Sequence, residues 1–300
     1  MSESNSDLQR KIASATDLKS VVRTMKAMAA ANINQYENAV LSLDDYYRTV
    51  QLGLVAYFLN TDKSDYPTTD KVSKPSDHKT QIGIIVIGSD QGLVGQFNDI
   101  LVDFLNSKRK DFGAAQVIWT AGERIQSLLE GVNAPLGKQF SLPNSIESIT
   151  SFVSEILLEI EHQQKNNQLK EVYLFFNRTL DKPNYAPCFQ RILPIDQKWK
   201  HEFVSLPWPN QCLPQLLVNN TLTISTLIKE YIFTSLFKGC IESLASENAS
   251  RLIAMQRAEK NIEELQEQMQ KTFNKLRQSA IDEELSDLVN GFEALSPSAE

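Results

Sequence analysis

Residues 241–276 read IESLASENASRLIAMQRAEKNIEELQEQMQKTFNKL. Apolar residues return there at every seventh place. Ile241, Met255, Ile262, Met269 and Leu276 form one line, with Asn248 as its polar member. Leu244, Ala258 and Leu265 form a companion line three residues on. That repeat is the seam of a coiled coil. No proline lies between Gln215 and Ser296, and the only glycines there are Gly239 and Gly291, so one uninterrupted helix is allowed. A helix over 221–291 is about 100 Å long at ~1.5 Å per residue, several times the width of a small domain. Most of it is expected to extend beyond any body that the chain folds.

The same period opens the chain. Leu8, Ala15, Val22, Ala29, Tyr36, Leu43, Val50 and Tyr57 recur at seven without a gap. Leu18, Met25, Asn32, Ala39 and Tyr46 form the companion line. The first glycine is Gly53 and the first proline Pro67. A second helix of about 75 Å is expected over residues 8 to 58. Residues 27–31 are nearly all alanine, which lets a partner helix approach closely. Two heptad segments at opposite ends of one chain have an economical solution: they pair antiparallel, and the middle of the chain is a domain-sized return loop.

That middle reads as alternating strands and helices. Gln81–Gly88, QIGIIVIG, is a short β-branched run ended by glycine, the pattern of a buried strand. Residues 89–98, SDQGLVGQFN, form a turn into a helix carrying Ile100, Leu101, Phe104 and Leu105. A second strand is expected at 116–119, helices near 123–129 and 145–161, a strong strand at 171–176 and an extended segment at 188–195. Alternation of this kind predicts an α/β layer with a largely parallel sheet. The short turn-like stretch 177–186 makes the last strand pair antiparallel. The fold class is therefore α/β: a long antiparallel coiled coil of N- and C-terminal helices with a Rossmann-like α/β domain inserted between them. The divisions are a helix at 1–59, a polar linker with Pro67 and Pro75 at 60–80, the α/β domain at 81–214 and a helix at 215–300, with Pro207, Pro209 and Pro214 at the exit.

Composition narrows the function. The chain has 300 residues, 42% hydrophobic and 22% charged, enough for a real core. A net charge of −7 argues against a nucleic-acid partner. Cys188, Cys212 and Cys240 are odd in number and widely spaced, which suits neither a disulfide framework nor a zinc site and favours a reducing compartment. The opening MSESNSDLQRK reads as neither secretory signal nor transit peptide, and no stretch reaches eighteen apolar residues.

Gly88, Gly92 and Gly95 sit where phosphate loops sit, between a strand and a helix. Their spacing is not GxGxxG, no GK[ST] follows, and the second strand carries no acid for a ribose. The glycines read as a tight turn. His78, His162 and His201 stand in no metal or nucleophile pattern. No catalytic, cofactor-binding or metal-binding residue is expected. The many acids of the last helix lie at helical spacing among Lys and Arg and read as a solvated face. Between Leu8 and Ala31 the basic residues are Arg10, Lys11, Lys19, Arg23 and Lys26, against the single acid Asp17. Paired end to end, residues 20–26 would lie beside 270–278 and join Lys271, Lys275 and Arg277 in a basic collar suited to an acidic partner.

Taken together, residues 242–255 (ESLASENASRLIAM), 274–285 (NKLRQSAIDEEL), 89–98 and the N-terminal run from Ile12 to Ala30 resemble the gamma subunit of F-type rotary ATP synthases over nearly the whole chain. The turn departs from that family's Ser-Asp-Arg-Gly-Leu-Cys-Gly at Gln91 and Val94, and Asn32 stands where a basic residue is usual. Residues 191–196 with 229–231 look more like the family's divergent, alternate branch. The resemblance implies a central-stalk rotor, non-catalytic and without a cofactor, that couples ion flow through a membrane ring to ATP synthesis or hydrolysis elsewhere. It implies one copy per complex, with the alpha and beta subunits of the head, an epsilon subunit and the membrane c-ring as partners, on the cytoplasmic face of a bacterial inner membrane. It places Arg23, Met25, Lys26, Asn274, Arg277 and Gln278 against catalytic-subunit loops, and Leu285, Leu288, Val289 and Phe292 in a shaft-end bearing. The alternatives are a Rossmann-like nucleotide-binding enzyme with a coiled-coil arm, and a self-associating coiled-coil scaffold.

Overall fold

A computed structural model describes residues 5–60, 81–112, 115–165, 169–180, 184–194, 208, 212 and 220–295. Of the expected linker (60–80) all but Asn60, which ends the first helix, and most of the exit (199–220) lie outside the described residues. The elements in chain order are α1 (Asn5–Asn60), β1 (Gln81–Ile87), α2 (Phe97–Lys108), β2 (Ala115–Ala121), α3 (Glu123–Gly131), β3 (Leu136–Phe140), α4 (Ile146–Lys165), β4 (Leu169–Thr179), β5 (Tyr185–Leu193) and α5 (Asn220–Leu295). The chain forms two compact units: residues 30–251, and residues 1–29 with 252–300.

The larger unit holds a five-stranded sheet in the order β3-β2-β1-β4-β5. The three pairings among β3, β2, β1 and β4 are parallel, and β4–β5 is antiparallel. Strand β1 is central, and every residue from Ile82 to Ile87 is buried, as a strand covered on both faces requires. One face packs Ile82, Ile84 and Val86 on Leu101 and Leu105 of α2 and Ile125 and Leu129 of α3. The other packs Ile85, Ile87 and Trp119 on α4, on Val50, Leu54 and Tyr57 of α1 and on Tyr231, Leu236 and Ile241 of α5. Strand β3 has no apolar alternation, since LGKQF exposes its middle. It forms as an edge, by pairing with β2.

In the smaller unit α1 and α5 run antiparallel over a short seam. Ala15, Val22, Met255 and Ile262 are buried, with Met25, Ala254, Ala258 and Met269 packed against them. The first seam line is the one that packs: Leu8, Ala15, Val22 and Ala29 are all buried. The companion line three residues on packs only in part: Met25 and Ala258 lie against the seam. Leu18 and Leu265 are half exposed, at 54% and 50%, and in the larger unit Tyr46 is likewise exposed. A further half-buried flank lies four residues on from the seam, at Ile12, Lys19 and Lys26 on α1 and at Glu259, Gln266 and Phe273 on α5. Lysine and glutamate stems cover apolar surface while their heads stay polar, so a purely apolar search overlooks that flank.

Candidate functional site

In the larger unit, the turn after β1 closes on itself and on α5. Gly88 N–H donates to Ala121 O at 3.0 Å, and Ser89 N–H to Asn98 Oδ1 at 3.1 Å. Asn98 Nδ2 donates back to Ser89 Oγ at 2.8 Å, locking a buried Ser–Asn pair. Gly95 has φ +58°, a left-handed conformation that glycine adopts without steric cost. That reversal places Val94 O where Ser250 Oγ donates to it at 2.5 Å. A phosphate loop keeps its N–H groups free for an anion. Here Gly88, Ser89 and Phe97 spend theirs inside the protein, and the Val94–Ser250 bond makes the turn a bracket for α5.

The helix answers with small polar residues on one face. Ser243 Oγ donates to Ile87 O at 3.1 Å, and Ser246 Oγ lies 2.9 Å from Thr179 Oγ1. Gly239, one turn before Ser243, lets α5 come so close to the sheet that a Cβ there would stand 2.5 Å from Leu174 Cδ2. The acids of this stretch are not a solvated face. Glu242 and Glu247 are buried. Arg178 Nε holds Glu242 at 2.8 Å, and Arg251 holds Glu247 at 2.5 Å. Burial pushes the Glu247 carboxyl up, and the Arg251 guanidinium opposes that shift. Asn32 Nδ2 reaches Asn248 Oδ1 at 3.4 Å, which pins the α1–α5 register within this unit.

The smaller unit carries the polar residues that the resemblance singled out. Lys19 Nζ meets Glu263 at 3.0 Å, and Thr16 Oγ1 accepts from Gln266 Nε2 at 3.0 Å. Arg23 Nε donates to Glu259 Oε1 at 2.7 Å while Lys26 Nζ donates to Oε2 of the same carboxylate. Residues 20–26 thus stand beside 256–263, two heptads from the expected 270–278. The reason is physical: the apolar positions of a seven-residue repeat look the same after any slip of seven, so they alone do not set the register. The complementary charges here and the Asn32–Asn248 pair in the larger unit do, and Glu259 and Glu263 are the residues that the sequence reading missed. The expected basic collar therefore does not assemble. Lys19, Arg23 and Lys26 are matched by acids of their own chain.

Met25 is half buried against the seam. Asn274 is exposed and accepts from Gln270 Nε2 at 3.1 Å, and Arg277 and Gln278 are exposed. Beyond Leu276 every described side chain of α5 is exposed. Leu285, Leu288 and Val289 are 61%, 74% and 48% exposed, and Ile281 49%. Phe292 lies in α5, with its side chain outside the described residues.

A family model described as ATP synthase matches residues 4–295. The chain belongs to the ATP synthase gamma family. It is 27% identical over 303 residues to the ATP synthase gamma chain of Desulfitobacterium hafniense (strain DSM 10664 / DCB-2), covering 96% of this chain and 98% of that one. It is 24% identical over 302 residues to that of Glaesserella parasuis serovar 5 (strain SH0165), with the same coverage. Among solved structures its fold is similar to a chain of the Euglena gracilis mitochondrial ATP synthase rotor, with a TM-score of 0.65, 16% identity and coverage of 92% of this chain and 98% of that one. Two of the stretches that carry the resemblance to the gamma family, 89–98 and 242–255, hold residues that bond to each other at Val94 and Ser250.

Proposed function

We propose that this chain is the central-stalk rotor subunit of an F-type ATP synthase, present once per complex. The observation that carries the proposal is the family match from residue 4 to residue 295, which includes both long helices and the α/β body. Its work is mechanical. The head's alpha and beta subunits bind and convert the nucleotides, the membrane c-ring moves the ion, and this chain passes torque between them, with an epsilon subunit against the α/β body. It contributes no catalytic group and holds no cofactor.

The local physics suits that role. Two paired helices resist twisting better than one. The exposed apolar side chains of Ile281, Leu285, Leu288 and Val289 supply a surface without fixed polar partners, as a bearing requires. Met25, Asn274, Arg277 and Gln278 are the proposed contacts to catalytic-subunit loops. Arg23 and Lys26 stand at the level of Met25, held on Glu259. No described helix is long and apolar enough to cross a membrane. The proposed attachment is through the complex, on the cytoplasmic face of a bacterial inner membrane.

Rotation tests the proposal directly. Cys212 is exposed, and a bead fixed there in the immobilised complex is expected to turn in one direction when ATP is added. ATP hydrolysis with a stationary bead would overturn it.

A further inference from the structure

The smaller unit has two unlike flanks. On the α1 helix wheel, at ~100° per residue, Lys19, Arg23 and Lys26 fall on one side of the Ala15–Val22–Ala29 seam. Leu18, Val21, Met25 and Met28, spaced i, i+3, i+7 and i+10, fall on the other. The first flank is closed by charge. Glu259 is 14% exposed and gives one oxygen to Arg23 and the other to Lys26. Glu263 takes Lys19 at 3.0 Å and stands 3.7 Å from the far nitrogen of Arg23. The second flank is open and apolar. Leu18, Val21 and Met28 are 54%, 55% and 61% exposed, and Leu265 of α5 is 50% exposed.

An isolated surface ion pair is worth little, but one carboxylate shared by two cations is a network. It also decides what a neighbour meets. A shaft enclosed by a ring presents both flanks to partners. Free cations beside Met25 would form ion pairs with any partner carboxylate they passed, and each such pair is a point at which rotation stalls.

We propose that Glu259 is a positioning residue of the rotor: it draws the Arg23 and Lys26 heads onto α5, so the shaft passes its partners at this level with matched charge on one flank and an apolar surface on the other. This inference rests on the rotor reading.

The test is ATP hydrolysis by the assembled complex as a function of ionic strength, for the parent chain, Glu259→Gln and the triple variant Arg23→Gln, Lys26→Gln, Glu259→Gln. Glu259→Gln keeps the side-chain shape, frees Lys26 and leaves Arg23 only its 3.7 Å contact with Glu263. It is expected to slow hydrolysis by about threefold at low salt, with recovery at high salt, because screening weakens exposed charge pairs. The triple variant is expected to recover at low salt as well, since it removes the freed cations. A Glu259→Gln complex matching the parent at every salt concentration would overturn the inference. A triple variant as slow as Glu259→Gln would overturn it too, by showing that the pairs act only to hold the helices together. Failure of the parent chain to assemble with nucleotide-binding subunits would instead sink the rotor reading.

Discussion

At the scale of single residues, the bracket around α5 is set by a few side chains that tolerate little change. A Cβ on Gly88 would stand 2.3 Å from Ile125 Cβ and 2.9 Å from Asn98 Oδ1, whereas one on Gly92 meets nothing within 4 Å. Gly88→Ala is therefore expected to cost about 1–3 kcal/mol by overpacking, and Gly92→Ala no measurable stability, both read from chemical denaturation. Sequence alone grouped these glycines by their place in the turn; only the packing separates them. Glu259 gives a pH signature. Its hydrogen bonds to Lys26 and Arg23 hold the carboxyl down at about 2, against an ordinary 4.5. A carboxyl lowered on folding stabilises the native state fully above its ordinary value and loses that contribution as pH falls toward the folded one. Melting followed between pH 7 and pH 2.5 should show the parent losing more stability below about 4.5 than Glu259→Gln does. Equal acid slopes would show that the carboxyl is not held by those cations.

At the scale of elements, the heptad lines made both long helices legible, and the glycine-ended apolar run made β1 legible. Strand β3 stayed hidden because LGKQF carries no alternation and forms only by pairing with β2. The α1–α5 register was hidden for a different reason, the indifference of the apolar positions of a seven-residue repeat to slips of seven. Reading charge beside the seam would have found it, since Lys19 with Glu263 and Arg23 with Glu259 fix one alignment. The buried Glu242 and Glu247 escaped notice because helical spacing among basic residues looks alike on a solvated face and on a paired, buried one. The seam and its exposed companion position make a contrast to test. Val22, 6% exposed, and Leu18, 54% exposed, are both apolar and four residues apart. Val22→Ala is expected to destabilise the helix pair by about 1–2 kcal/mol. Leu18→Ala should stay within about 0.5 kcal/mol of the parent. Helix unfolding followed by circular dichroism checks both, and a larger loss at Leu18 would show that it packs as Met25 does.

At the scale of the whole molecule, the family was legible in four separate stretches before any fold was in view, while the site residues were legible only by resemblance. Arg23 and Lys26 illustrate the difference. Resemblance places them against catalytic-subunit loops, and the structure shows them bound to a carboxylate of their own chain. A rotor is a property of an assembly, and its defining quantity is stoichiometry. A self-associating scaffold would form homo-oligomers, and a nucleotide-binding enzyme would retain a ligand on the purified chain. The most direct measurement is native mass spectrometry of the complex recovered on a tagged copy of this chain from gently solubilised membranes. One copy of the chain with three alpha and three beta subunits is the predicted result, and a homo-oligomer free of nucleotide-binding subunits would contradict it.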